Sequence, residues 1–324
     1  MAKVLGMGNA LIDIVALIST DDLLTQLNIL KGSMQLVEKH VSTGLTLQIR
    51  DSIQKTASGG SAANTIYGLA HLGVETAFLG KIGKDEWGEF FLQDLENSRI
   101  KPLLIKSQNE SGRAIALISP DCERTFATFL GAAVELSAED ILPEHFEGYD
   151  VFHVEGYLVQ NHELLKKSLK LAKENNLIVS LDLSSYNIVT ENLDFLHEII
   201  SKYVDIVFAN EDEARAFTGK EPEEALDAIS ELCDIAIVKI GKNGSLIKRG
   251  NEKFTVGIIP ANSIDTTGAG DLYASGFLYG MIKNKTLDKC GLLGSLLSGK
   301  IIEELGAKYH PDKWDELRKL VEAI

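Results

Sequence analysis

Among the 324 residues only three are cysteine, Cys122, Cys233 and Cys290, and none has the close spacing of a zinc or redox site. They are expected to be buried, reduced thiols. Long apolar runs are missing as well, since none approaches the ~20 residues that a membrane span needs. The opening Met1-Ala2-Lys3-Val4-Leu5-Gly6 reads as a core strand ended by glycine rather than as a signal peptide, so a cytoplasmic protein is expected. Positive charge is scarce: 32 Lys and Arg stand against 47 Asp and Glu, a formal net charge of -15, and no basic cluster could form a stripe along a polyanion. Nucleic acid and membrane are therefore excluded as expected partners. A small phosphorylated ligand is not, because backbone N–H groups can converge on one site without a basic surface.

What is present is a globular balance of 45% hydrophobic and 24% charged residues, on a chain long enough for one large α/β domain with an appended piece or for two ordinary domains. Short runs rich in Val and Ile, near 3–7, 76–81, 151–154, 178–183, 206–209 and 235–239, read as strands. Amphipathic segments near 62–72, 86–98, 162–174, 192–203 and 223–233 read as helices between them. That alternation predicts an α/β fold with a doubly wound, largely parallel sheet flanked by helices. Two stretches, at about 12–37 and 102–130, suggest short strands with no intervening helix. We read them as one small β-sheet lid inserted into a single domain spanning 1–324, the alternative being an edge extension of the main sheet. Three successive helices, near 271–282, 287–305 and 311–323, close the chain.

Five segments could carry chemistry. In Asp265-Thr266-Thr267-Gly268-Ala269-Gly270-Asp271, glycines precede an apolar helix, so consecutive N–H groups and the helix dipole can form an anion hole. The dipole should keep Asp271 ionised, ready to take a proton from an attacking hydroxyl. The same residues also read as a capped helix after a tight turn. In Ser58-Gly59-Gly60-Ser61-Ala62-Ala63-Asn64, the paired glycines allow close approach to a polyhydroxy ligand, and Asn64 offers a donor and an acceptor. Asp13, set among Leu11, Ile12, Ile14 and Val15, is a carboxylate needing a partner such as a ligand hydroxyl, or else a solvent-facing strand residue. Gly6 and Gly8 before it superficially suggest a dinucleotide fingerprint without its third glycine. Asn210 and Glu213 follow a candidate strand, where oxygen-rich side chains suit magnesium but equally complement a helix dipole. Lys239, Gly241 and Gly244 lie on a strand and glycine turn against which a nucleotide could rest, or which make an ordinary hairpin.

Taken in this order, the segments resemble the ribokinase-like, or phosphofructokinase B, family of carbohydrate and nucleoside kinases over nearly the whole chain. The residues from Asp265 to Asp271 look like its C-terminal signature, and the next most specific likeness is Gly59, Gly60 and Asn64, followed by Gly73, Gly80, Gly83 and Gly88. The resemblance implies ATP-dependent phosphorylation of a hydroxymethyl group on a small sugar or nucleoside. Asp271 would be the base, with Gly268, Ala269 and Gly270 as the anion hole. Asp13, Gly59, Gly60 and Asn64 would hold substrate. Thr266, Lys239, Gly241 and Gly244 would bind nucleotide, and Asn210 with Glu213 would govern Mg2+.

The pattern Gly8-Asn9-Ala10-Leu11-Ile12-Asp13-Ile14 is closest to adenosine kinases. Arg124 falls where those carry a lid arginine, which adds it to the substrate-binding set, and Leu183-Ser184-Ser185-Tyr186 is similar to their aromatic-bearing segment. Ser295 departs from the family, standing where relatives often have His or Asn beside adenine. The resemblance also leaves room for a monovalent cation such as K+ and for a homodimer through the lid. Competing readings are a ribose- or fructose-type sugar kinase, a sugar- or nucleoside-binding protein without catalysis, and a dinucleotide-dependent oxidoreductase using Gly6 and Gly8.

Overall fold

The computed structural model describes residues 2–121 and 123–324, so Cys122 lies outside the described residues. The chain begins with β1 (Lys3–Met7), β2 (Leu11–Leu17), α1 (Asp22–Gln26), β3 (Met34–Leu36), α2 (Lys39–Gln48) and β4 (Ile53–Gly59). There follow α3 (Ser61–His71), β5 (Glu75–Gly83), α4 (Glu86–Asn97), β6 (Ile100–Ser107), β7 (Gly112–Ile118) and β8 (Arg124–Phe129). The middle of the chain holds β9 (Val151–Glu155), α5 (His162–Glu174), β10 (Ile178–Asp182), α6 (Tyr186–Glu191), α7 (Leu193–Tyr203), β11 (Ile206–Asn210) and α8 (Glu211–Thr218). Then come α9 (Pro222–Ser230), β12 (Ile235–Lys239), β13 (Ser245–Arg249), β14 (Glu252–Val256), α10 (Ala269–Ile282), α11 (Leu287–Ile301) and α12 (Lys313–Glu322).

Nine strands form one sheet in the order β14-β13-β12-β11-β10-β9-β1-β5-β6, parallel from β6 to β12 and antiparallel at β13 and β14. Both faces are covered, which is why successive residues of β1 belong to opposite cores. Val4 belongs to the core built with α3, α4, α10, α11 and α12, whereas Leu5 and Met7 belong to the one built with α5, α7, α8 and α9. A strand buried on both sides reads as an unbroken apolar run, the signal that marks these strands in the sequence. The expected doubly wound α/β sheet flanked by helices is the observed fold.

A second sheet of five strands, in the order β3-β8-β7-β2-β4, gathers the two stretches read as insertions. Three differences from expectation stand out. The first stretch contains a helix, α1, and is followed by α2 and β4, none of which the sequence pattern predicts. Their apolar residues are few, and α2 buries only Ser42 and Leu45, so the periodic signal is weak. The second stretch begins too early, because residues 100–107 form β6, which pairs parallel with β5 at the edge of the main sheet. Only β7 and β8 belong to the second sheet. At the C-terminal end, the predicted 287–305 helix stops at Ile301, and residues 303–312 become a loop that returns toward the sheet junction.

Gly6 and Gly8 do not open a phosphate-binding helix, because β1 passes through a short loop into another strand, β2. A dinucleotide fingerprint requires a strand-to-helix turn there, so the oxidoreductase reading is overturned. Two thiols behave differently from one another: Cys290 is buried as expected, whereas Cys233 is only half-buried.

Candidate active site

Four neighbouring parallel strands, β9 to β12, end in Glu155, Asp182, Asn210 and Lys239, and all four residues line one cavity of about 1310 Å³. This is the edge at which ligands bind in open α/β sheets, because loops and helix N-termini collect there. From the second sheet the cavity receives Leu11, Asp13, Met34, Leu36 and Phe126, and from the start of α10 it receives Thr267, Gly270 and Asp271. Gly60, Ser61 and Asn64, at the start of α3, complete the floor.

Helix α3 and helix α10 approach closely because Gly68 has no side chain. A Cβ there would collide with Ser275 Oγ. That contact aligns one face of α3, residues 61, 64 and 65, with the first turn of α10. Ser61 Oγ donates to Asp271 Oδ1 at 2.7 Å, Asn64 Nδ2 donates to Oδ2 at 2.9 Å, and Thr65 Oγ1 donates to the Asp271 carbonyl at 3.1 Å. The carboxylate is thus fixed while remaining on the cavity wall. Burial pushes Asp271 up to about 6, with Asn64 and Ser61 opposing that shift and Asp182 adding to it. The expectation that the helix dipole would hold its proton affinity low is corrected: loss of hydration outweighs the dipole. Asp271 is still mostly ionised at pH 7.

Gly268 caps α10 with φ 75°, and a Cβ on it would lie 2.5 Å from Ala307 Cβ. The left-handed turn frees the first N–H groups of the helix, which have no partner one turn back. Ala269 N–H is an exception to the expected cradle, since it donates to Thr266 O at 3.2 Å. Lys239 Nζ stands beside this turn, 3.1 Å from where a Gly270 Cβ would be, and donates to Asp182 Oδ2 at 2.8 Å. Burial works against its charge, but Asp182 and Glu213 more than compensate and raise its proton affinity. A cation, a helix start and an ionised carboxylate therefore meet at one point.

The paired glycines behave differently from each other. Gly60 has φ 99° and its missing Cβ leaves room for Asn9 O, whereas Gly59 lies flat beneath the carboxyl group of Asp13. Gly60 lines the cavity and Gly59 supports it from behind. Asp13 is pushed up to about 7 by burial and, secondarily, by Asp271, while Lys308 and Lys55 oppose that shift.

Asn210 and Glu213 do sit on the cavity wall, yet they are bonded to each other. Asn210 Oδ1 accepts from Glu213 N at 2.9 Å, and the Glu213 carboxylate accepts from Asn210 N and Nδ2, each at 2.7 Å. This capping box is the dipole-complement reading of those residues. Among the described residues there is no group of three or more His, Cys, Asp or Glu that could enclose a metal ion. A Mg2+ ion nevertheless suits the donors present, because it keeps its waters and needs only one or two carboxylates beside substrate phosphates. Asp182 and Glu213 supply those carboxylates, and burial with the neighbouring Asp182 charge pushes Glu213 up to about 7, a strain that a cation would relieve. A monovalent cation fits less well. The oxygens grouped behind the anion-binding turn are already taken: Asp265 and Ile264 O by Arg124, and Leu305 O and Lys308 O by Lys55.

Other predicted residues fall outside the cavity. Arg124 does not itself line the cavity but bonds to Thr267, which does: it reaches Asp265, Thr267 Oγ1 at 3.0 Å and Ile264 O at 3.2 Å, joining β8 to the loop before α10. Gly241 and Gly244 shape the turn between β12 and β13 and Thr266 is exposed; none of the three lines the cavity, nor do Gly268 and Ala269, which flank its wall at Thr267 and Gly270. Ser295 is buried within α11.

Sequence reasoning misses Glu155 and Asp182, although each is a carboxylate at the end of a predicted parallel strand, the same signal that marks Asn210. Glu155 is 1% exposed and accepts from Asn9 N, Asn9 Nδ2 and Ala62 N at 2.8, 2.8 and 2.9 Å. It ties the β1–β2 loop to the first turn of α3. Burial pushes it up to about 7 despite these donors.

A carboxylate beside a helix start, under a second sheet, is an arrangement suited to a phosphotransferase acting on an alcohol group. The pfkB family carbohydrate kinase model matches residues 34–314, and the chain belongs to that family. A probable sugar kinase protein from Rhizobium etli CFN 42 is 33% identical and superposes with a TM-score of 0.90 over 100% of this chain and 99% of its own. The adenosine kinase from Sinorhizobium meliloti is 32% identical, with a TM-score of 0.87 over 98% of this chain and 99% of its own. A sugar kinase of Archaeoglobus fulgidus, described as uncharacterized, is 30% identical over 74% of this chain and 96% of its own.

Proposed function

We propose that this protein transfers the γ-phosphate of ATP to the hydroxymethyl group of a nucleoside, adenosine-like rather than a free ribose or fructose. The observation that carries the reading is the placement of Asp271 on the cavity wall, held by Ser61 and Asn64 beside Gly270 and Lys239. The nucleoside preference is supported by the upper part of the cavity, where Leu11, Met34, Leu36, Phe126 and Tyr186 offer apolar surface suited to a planar base. It is also supported by full-length likeness to the adenosine kinase of Sinorhizobium meliloti.

In this reading the acceptor's vicinal hydroxyls bond to Asp13 and Asn64, and its hydroxymethyl oxygen faces Asp271. Asp271 takes the hydroxyl proton as that oxygen attacks the γ-phosphorus, and the bond to the β-phosphate oxygen breaks with its electrons leaving on ADP. Gly268 and Gly270 N–H groups and the Lys239 ammonium receive the charge on the transferred group. Asp182, Glu213 and Asn210 would hold bound Mg2+, which would supply charge to neutralise phosphate oxygens. The five-stranded sheet acts as a lid on what we read as one domain, and use of ATP suits the cytoplasm, where we place the protein.

A coupled ADP-release screen with ATP, Mg2+ and a panel of nucleosides and sugars tests this. Turnover of adenosine or a close analogue is expected. Robust turnover of a free sugar and none of any nucleoside would replace the substrate preference, and no ADP release with any acceptor would leave a binding protein.

A further inference from the structure

The loop that follows α11 returns a lysine to the underside of the acceptor site. Lys308 is 5% exposed, and its Nζ donates to Ser58 Oγ and, at 2.6 Å, to Asp94 Oδ2. Asp94, on α4, also accepts from Ser58 N at 3.0 Å. A buried ammonium and a carboxylate from two different elements thus hold the residue immediately before Gly59, over which the Asp13 carboxyl group lies. The ammonium also stands 4.6 Å from the Tyr67 ring centroid. Burial of a lysine is costly and lowers its proton affinity here. Asp94 provides most of the offset to that cost, and Asp13 adds to it.

We propose that Lys308 is a positioning residue for the acceptor, fixing the Ser58–Gly60 turn and supplying the fixed positive charge that keeps Asp13 able to receive substrate hydroxyls. This rests on the kinase reading above. The charges facing Asp13 are Lys308, Lys55 on β4 and Asp271 on α10. Those facing Lys308 are Asp94 and Asp13, with Lys55 nearby and Tyr67 and His71 on α3. Of the two cations facing Asp13, Lys308 favours its ionised form more strongly, and the Lys55 Nζ is engaged elsewhere, donating to Leu305 O at 2.7 Å and Lys308 O at 2.5 Å. The same loop touches the anion-binding turn through Ala307 and bonds Gly306 N to Asp265 Oδ2 at 2.6 Å. One segment therefore braces both halves of the site.

Lys308→Gln retains an N–H donor on a side chain one atom shorter and removes the charge, and Lys308→Arg keeps the charge. Turnover is measured against pH for both and for wild type. For Lys308→Gln, the acid limb of kcat/KM should move to higher pH, with acceptor KM raised about tenfold at pH 7 and recovering by pH 9. The acid limb of kcat should stay in place, because Lys308 does not act on Asp271. Lys308→Arg should follow wild type. A Lys308→Gln profile that is merely scaled down at every pH overturns the proposal. So does loss of soluble protein in both variants, which would assign Lys308 to the scaffold alone. Wild type without turnover on any acceptor would instead remove the kinase reading, and the two failures are distinct.

Discussion

The side-chain amide of Asn64 lies 2.9 Å from Oδ2 of Asp271, a bond between residues 207 positions apart. It joins the first turns of α3 and α10, so the residue proposed to grip the acceptor also orients the residue proposed to accept its proton. Ser61 completes the clamp at the other oxygen. A base held at both oxygens has little freedom to turn from a substrate hydroxyl, and that economy of motion is what proximity contributes to catalysis.

Asp271→Asn should lower kcat by about 10³-fold, within the range associated with loss of a general base. The amide retains the shape of the carboxyl group, so acceptor affinity should change by less than about threefold. Stopped-time ADP release and calorimetric binding of the acceptor measure the two effects separately. Near-normal turnover would remove Asp271 from the base role.

Activity should fall on acidification for a reason that can be signed. In the proposed mechanism Asp13 accepts hydrogen bonds from substrate hydroxyls and Asp271 takes a proton, both as carboxylates, and burial raises them to about 7 and about 6. As pH drops through 7, Asp13 is protonated first, and then Asp271. kcat/KM should therefore decline below about pH 7 and steepen near pH 6, giving a slope that approaches two. A flat profile from pH 8 to pH 5 would contradict both assignments.

Much of this site is legible in the amino-acid sequence, and the part that is not has a physical cause. The signature residues 265–271 and the turn at 58–64 stand out because glycine, small residues and an acid occur together in short segments. Short unbroken apolar runs mark β9 to β12, since strands covered on both faces carry no polar alternation. Helix α2 and strand β4 escape notice because they are half-exposed and thinly apolar. Lys308 carries no local signal at all, and Glu155 has only its place at the end of a strand. What makes them important is that distant elements, Ser58 with Asp94 and Asn9 with Ala62, are bonded to them, and only tertiary structure reveals such pairs. Arg124 is identifiable by resemblance but not assignable to its partners, because a lid residue's contacts depend on where the lid rests.

The free protein should become more heat-stable as pH is lowered from 8 to 6. Asp13, Glu155, Glu213 and Asp271 all have proton affinities raised by burial, to about 7, 7, 7 and 6. In the unfolded chain each titrates near the ordinary carboxylate value, so between those limits the folded state binds more protons than the unfolded one. Stability from these groups is fully present below the unfolded value and is lost as pH rises through the folded values. Differential scanning fluorimetry in matched ionic strength should show Tm rising on moving from pH 8 to pH 6. A Tm that falls over that interval would mean these carboxylates are not desolvated.

Arg124 links the second sheet to the loop before α10, and removing it should loosen the lid without emptying the cavity. Its guanidinium reaches Asp265, Thr267 and Ile264 O at once, and the Asp265 side chain is almost wholly buried, at 1% exposure. Arg124→Ala leaves that carboxylate with backbone donors from Thr267 and Gly306, both at 2.6 Å, so the charge is partly and not fully orphaned. The expected cost is about 2–3 kcal/mol, nearer that of lost charged hydrogen bonds than of a bare buried ion. Arg124→Lys should recover less than half of it, because a single ammonium cannot span three acceptors held by a planar fork. Urea unfolding gives the stability difference, and hydrogen exchange across β7 and β8 reports the lid directly. Exchange there should quicken in Arg124→Ala while exchange in β9 to β12 stays as in wild type. Unchanged protection in β7 and β8 would show that the second sheet is held by its own packing and not by this contact.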